Sequence, residues 1–155
     1  LIQDKDLREK TLRVWEEAVI KGNWDISDLL EMPFTLLIER TPVNIISHTR
    51  AVTLCSLKIA EVLLDAYKGK VKINKDILLS GALLHDVGKL FEYKKQRGVF
   101  KKSKEGRLLR HPISGRRVVS ATGYHATAPA ATRWPVCFAS SHSRSSTGAL
   151  TPPRP

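Results

Sequence analysis

The chain has 155 residues, 42% of them hydrophobic, and a formal net charge of +11. That is enough apolar material for one globular domain without disulfides or a structural metal, which excludes a small cross-linked scaffold. No apolar run approaches the roughly 20 residues that span a bilayer, and the two cysteines, Cys55 and Cys137, lie far apart, so a bridge is not expected and the setting reads as cytoplasmic and reducing.

Helices are predicted almost throughout. Leu7, Leu12, Val14, Trp15, Ala18 and Val19 recur at helical spacing in a first helix ended by Gly22-Asn23, and Asp25 is placed to cap a short second one over 26–31. Met32-Pro33 breaks it. Residues 34–39 form a short apolar run whose periodicity fits strand and helix equally, and Thr41 to Asn44 read as a turn into the next helix. From Asn44 to about Tyr67, Ile45, Val52, Cys55, Ile59, Val62 and Leu63 trace one face that is expected to be buried, Cys55 as a free thiol, with His48 on the same face. Gly69 closes that helix, and Asn74 or Asp76 can start another. Residues 77–84 are apolar nearly all round, as in a central buried helix, and His85-Asp86 arrive at its end, where Gly88 is expected to let the chain turn away.

From Lys89 to Arg117 the chain is strongly basic, opposed only by Glu92 and Glu105, and this stretch reads as a loop suited to phosphate. Toward the end of this stretch His111 precedes Pro112, a normal first position of a helix. Only five histidines are present, and three of them, His48, His85 and His111, stand in contexts that point toward one place. An imidazole next to a carboxylate at the end of a buried helix makes half of a divalent metal site, and a charged Asp86 there is costly unless paired or metal-bound.

The series His48, then His85-Asp86 within Leu-Leu-His-Asp-Val-Gly-Lys, then His111-Pro112-Ile113-Ser114-Gly115 resembles the HD superfamily of metal-dependent phosphohydrolases over roughly residues 44–115. The resemblance implies an all-α helical bundle, a divalent ion (Mn, Fe, Mg, Co, Ni or Zn) and hydrolysis of phosphate esters in nucleotides, cyclic nucleotides or RNA. It implies further that His48, His85 and Asp86 hold a first ion, that Asp86 bridges to a second, and that His111 serves the second. Lys89 and Arg110 are expected to bind substrate phosphate, with Lys89 and Asp86 as catalytic groups and Lys89 also a candidate donor to the leaving oxygen.

The chain departs from the family pattern at one ligand. The family supplies a late Asp to the first ion, whereas residues 106–155 contain neither Asp nor Glu. The expected organisation is an HD-type domain over 1–120 and an anomalous tail over 121–155. That tail is rich in Ala, Ser, Thr, Pro and Arg, the signature of a shifted reading frame or of loose attachment. Within it, His125 and His142 have no supporting context as substitute ligands. Three functions compete on this evidence: a metal-dependent phosphohydrolase with a phosphorylated small molecule or nucleic acid as substrate; an HD-type domain that binds metal or phosphate without turnover; and a basic nucleic-acid module. The third lacks the interleaved aromatics of single-strand binders.

Overall fold

A computed structural model describes residues 1–124. Its elements are α1 (Lys5–Gly22), α2 (Ile26–Glu31), α3 (Ile45–Ala66), α4 (Lys75–Leu84), α5 (Lys89–Glu92), β1 (Tyr93–Gln96), β2 (Val99–Lys102), α6 (Lys104–Leu108) and α7 (His111–Ala121). The caps explain the boundaries. Asp4 accepts from Leu7 N, Asn44 from Ser47 N, and Asn74 from Asp76 N and Ile77 N, each satisfying amide groups that a helix start leaves free. Asn23, in the left-handed conformation at φ 54°, ends α1.

Helix α4 lies between α1 and α3, burying Leu79, Ser80, Ala82 and Leu84. The main core joins Val14 and Ala18 of α1 to Trp24, Met32, Ile45, Val87, Leu90 and Val118, so α5 is packed from both sides and the residues just before it are held rigidly. Trp24 anchors α5 directly, its indole Nε1 donating to Leu90 O at 2.6 Å. Among the described residues, no helix is long and apolar enough to cross a membrane.

Four expectations are corrected. Cys55 is exposed, and Ile59 and Val62 are 60% and 66% exposed; the buried positions of α3 are instead Ile45, Thr49, Thr53 and Ala60. Leu12 is likewise exposed, the buried positions of α1 being Leu7, Thr11, Val14 and Ala18. The basic stretch is no loop: Tyr93↔Lys102 to Gln96↔Val99 pair as an antiparallel hairpin, whose two-residue turn places Arg97 and Gly98 at positive φ. Residues 34–39 are neither helix nor strand but a bend, closed at its base by the bridge Pro33↔Asn44 and by Ile45 N donating to Met32 O at 2.8 Å. The expectations for Cys137, His125, His142 and the tail from residue 125 onward lie outside the described residues.

Two side chains, Lys95 and Phe100, fix the hairpin to the rest of the chain. Lys95 Nζ pairs with Asp28 Oδ1 at 2.9 Å and Glu31 Oε2 at 2.6 Å, and lies over the Phe100 ring, which stacks on Trp24. A buried hydroxyl relay ties α1, α4 and the end of α7. Thr11 Oγ1 donates to Leu7 O, so Ser80 must donate to Thr11 at 2.7 Å and accept from Tyr124 Oη at 2.6 Å. Ser80→Ala breaks both links and leaves the Tyr124 hydroxyl without its partner, while Thr11 keeps its bond to Leu7 O; chemical denaturation should show a loss of about 1–2 kcal/mol.

Candidate metal centre

The C-terminal end of α4 supplies His85 and Asp86, the first full turn of α3 supplies His48, and the first residue of α7 is His111. All four line one cleft of ≈ 260 Å³, together with Lys89, Glu92, Lys102, Arg110 and the bend at 34–37. Asp86 is at the centre and only 3% exposed. Its Oδ2 is 3.2 Å from His85 Nε2, 3.4 Å from His48 Nε2 and 2.7 Å from Lys89 Nζ, while its Oδ1 is 3.4 Å from His111 Nε2.

The hydrogen bonds decide what these atoms offer. His85 Nδ1 lies 2.7 Å from Ala82 O, which can only accept, so the neutral ring carries its proton on Nδ1 and presents a lone pair from Nε2. His48 Nε2 lies 3.4 Å from that nitrogen, its ring stacked on Phe34 with centroids 4.5 Å apart. His48 Nε2, His85 Nε2 and Asp86 Oδ2 are thus mutually 3.2–3.4 Å apart. Ligands at 2.0–2.2 Å from a common ion at octahedral to tetrahedral angles are about 2.8–3.6 Å apart, so the triangle has the size a divalent ion requires. The group His48, His85 and Asp86 can therefore hold a metal ion, with one ligand atom from each residue.

Burial shapes the charges. It lowers the His48 pKa below its ordinary value. In His85 burial also acts downward, but the hydrogen bonds to Asp86 and to the Ala82 carbonyl outweigh it and leave the pKa raised. Burial pushes Asp86 upward, yet hydrogen bonds from His85 and Lys89 overcome it and bring the carboxyl down to about 2. A carboxyl depressed on folding stabilises the protein above its unfolded value, near 3.8, and that contribution is lost as pH falls through about 2. Melting temperature followed from pH 5 to pH 2 should therefore fall more steeply in the parent than in Asp86→Asn.

The structure places Lys89 differently from a swinging surface arm. It is 7% exposed, with Nζ donating to Asp86 Oδ2 and to the Phe34 carbonyl. Gly88 is also not a turn-maker: its φ of −64° and ψ of −15° are helical. Its role is close approach, because a Cβ there would overlap the His111 carbonyl oxygen and stand 2.5 Å from Gly115 N. Arg110 is on the rim, its side chain 61% exposed and its Nε 3.7 Å from Glu92 Oε1.

Two cleft residues escaped the sequence reading. Lys102 was counted among the basic stretch but not singled out; the hairpin, unforeseen, brings it to the site. Glu92, read only as a counter-charge, is 3% exposed, and its Oε2 accepts from both His111 N and His111 Nδ1 at 2.9 Å. The available signal was spacing, since Asp86, Lys89 and Glu92 stand three residues apart on successive helical turns and face the same way.

Comparison with known proteins identifies the family of the chain. The sequence profile of the HD domain matches residues 45–133, more than half of the chain, and the protein belongs to that family. The chain is also 35% identical over 104 residues to a dihydroneopterin 2′,3′-cyclic phosphate phosphodiesterase of Methanocaldococcus jannaschii. That alignment covers 64% of this chain and 41% of the relative's length. No solved structure matches the chain.

Proposed function

We propose that the protein is a metal-dependent phosphodiesterase acting on a small cyclic phosphodiester, of nucleotide-like or pterin type. The observation that carries this reading is the 3.2–3.4 Å triangle of His48 Nε2, His85 Nε2 and Asp86 Oδ2, set beside the cations of the same cleft. The activity for which the M. jannaschii relative is named supports a cyclic phosphate over polymeric RNA. Scarcity of cysteine suits a reducing cytoplasm.

His48, His85 and Asp86 would hold the ion. When bound, it supplies charge neutralisation at phosphorus and a water acidic enough to ionise near neutral pH. Lys102 and Arg110, on the open side of the cleft, bind the non-bridging phosphate oxygens and fix the diester in place. Lys89, held against Asp86, keeps that carboxylate oriented and is the nearest donor of a proton to the leaving oxygen. Phe34 stacks on His48 and walls the cleft from solvent.

A second reading, metal or phosphate binding without turnover, is favoured by one observation: residues 106–155 offer no carboxylate, so the ion rests on three protein ligands. Three ligands still suffice for a catalytic ion, because open positions are where substrate and water bind. The readings separate on a panel of 2′,3′-cyclic nucleotides and bis(p-nitrophenyl) phosphate assayed with Mn²⁺ and Mg²⁺. Turnover by the parent that disappears in Asp86→Asn supports the phosphodiesterase. Tight Mn²⁺ binding with no turnover of any diester supports the silent domain.

A further inference from the structure

The described contacts single out a buried acid that the reaction outlined above does not use. Glu92 comes from the one-turn helix α5, is 3% exposed, and would be expensive to bury without strong donors. Its Oε2 receives two hydrogen bonds from one residue, the backbone N–H and the ring Nδ1–H of His111, both 2.9 Å. A carboxylate oxygen only accepts, so the ring nitrogen that faces it is the donor. The ring proton is therefore on Nδ1, and Nε2 turns its lone pair toward Asp86 Oδ1, 3.4 Å away.

Asp86 accordingly faces two ways. Its Oδ2 serves the His48 and His85 side, and its Oδ1 with His111 Nε2 forms a separate pair of donors. A carboxylate that grips the far nitrogen of a metal-ligating histidine sets the tautomer, aims the ring and makes the near nitrogen more basic, and losing such a partner typically costs about 10–100-fold in metal affinity. The backbone bond adds a second effect, since it fixes the first residue of α7 to α5 and so locks the distance between His111 and Asp86. We propose that Glu92 is the positioning residue of a second cation site formed by Asp86 Oδ1 and His111 Nε2, and that it acts by holding His111 in the Nδ1–H tautomer. This inference rests on the metal-centre reading and deepens it.

The test has two readouts, neither of them turnover. Imidazole ¹⁵N–¹H NMR of the metal-free parent should show His111 protonated on Nδ1, and in Glu92→Leu that preference should disappear. Calorimetric titration with Mn²⁺ should then show two binding steps in the parent. The stronger step should be retained in both variants, while the weaker is reduced about 10–100-fold in Glu92→Leu and by about tenfold in Glu92→Gln, whose amide oxygen keeps the hydrogen bonds without the charge. His111→Ala should lose the weaker step, and adding Glu92→Gln to it should cost nothing more in Mn²⁺ binding. Should Glu92→Leu fail to fold, Glu92→Gln carries the decision alone.

Parent-like affinity for both ions in Glu92→Gln overturns the proposal, as does a parent His111 protonated on Nε2. A merely structural Glu92 would weaken both steps together, which also overturns it. A parent that binds one ion but never a second refutes the second site and leaves the first intact. A parent that binds no ion refutes the metal-centre reading itself, while the NMR result still reports whether Glu92 sets the tautomer.

Discussion

Asp86→Asn should leave a folded protein that retains no divalent ion and hydrolyses phosphodiesters at least about a thousandfold more slowly than the parent. The magnitude follows from the loss of several kcal/mol of charge stabilisation at phosphorus, each 1.4 kcal/mol being tenfold in rate. Asparagine is the informative choice because its carbonyl still accepts from Lys89 Nζ, 2.7 Å from Oδ2 in the parent. Alanine would leave that ammonium buried with only the Phe34 carbonyl, and breaking a buried ion pair in this way costs about 3–5 kcal/mol. Asp86→Ala should therefore lose both metal and much of its stability, Asp86→Asn chiefly the metal. Elemental analysis and thermal melts on the two variants separate these effects.

The second large effect is expected at Gly88. An alanine methyl cannot be accommodated where it would overlap the His111 carbonyl oxygen and approach Gly115 N at 2.5 Å, because both are backbone atoms of α7 with little freedom to yield. Either α7 moves away from α5, opening the core at Val87 and Val118, or α5 unwinds. Overpacking of this kind costs about 1–3 kcal/mol, and here it also carries His111 away from Asp86 and Glu92. Gly88→Ala should melt at a lower temperature and lose catalytic efficiency even where it folds. Gly81→Ala is the control: it is on the exposed side of α4 with nothing near its added methyl, and replacing a helical glycine there should stabilise by up to about 1 kcal/mol. Urea titrations of the two variants check the pair of signs.

Much of this architecture is legible in the chain because local signals and burial agree. Asn23, Asn44 and Asn74 stand at helix boundaries and are used there, and the apolar run ending in His85-Asp86 does become the helix between α1 and α3. Where signals conflict, the reading fails for physical reasons. The hairpin carries Lys94, Lys95, Gln96, Lys101 and Lys102, too polar for a recognisable strand pattern. It forms because Arg97-Gly98 adopts a tight turn and because Phe100 and Lys95 find Trp24, Asp28 and Glu31 across the chain. The stripe of α3 shows the opposite failure. Helical periodicity at Val52, Cys55, Ile59 and Val62 states that these residues share a face, but it does not state that anything among the described residues packs on it.

The candidate site divides in the same way. The histidines and Asp86 are legible because metal ligation demands particular side chains in a particular order, and the structure brings His48, His85, Asp86 and His111 into one cleft. Glu92 was not legible as a site residue, because its contribution depends on the tautomer of a histidine nineteen positions later, a relation visible only when α5 and α7 are in contact. Lys89 was legible in position but not in posture: its burial between Asp86 and the Phe34 carbonyl comes from the bend at 34–37 folding over the cleft.

The central claim, that His48, His85 and Asp86 hold a divalent ion, is tested most directly by elemental analysis. The parent, His48→Ala and His85→Ala would each be stripped with chelator, reloaded with Mn²⁺ or Zn²⁺ and desalted. Near-stoichiometric metal in the parent and little in either variant, with all three equally helical by circular dichroism, is the predicted result. A folded parent that retains no metal under loading, or variants that retain as much as the parent, would contradict it.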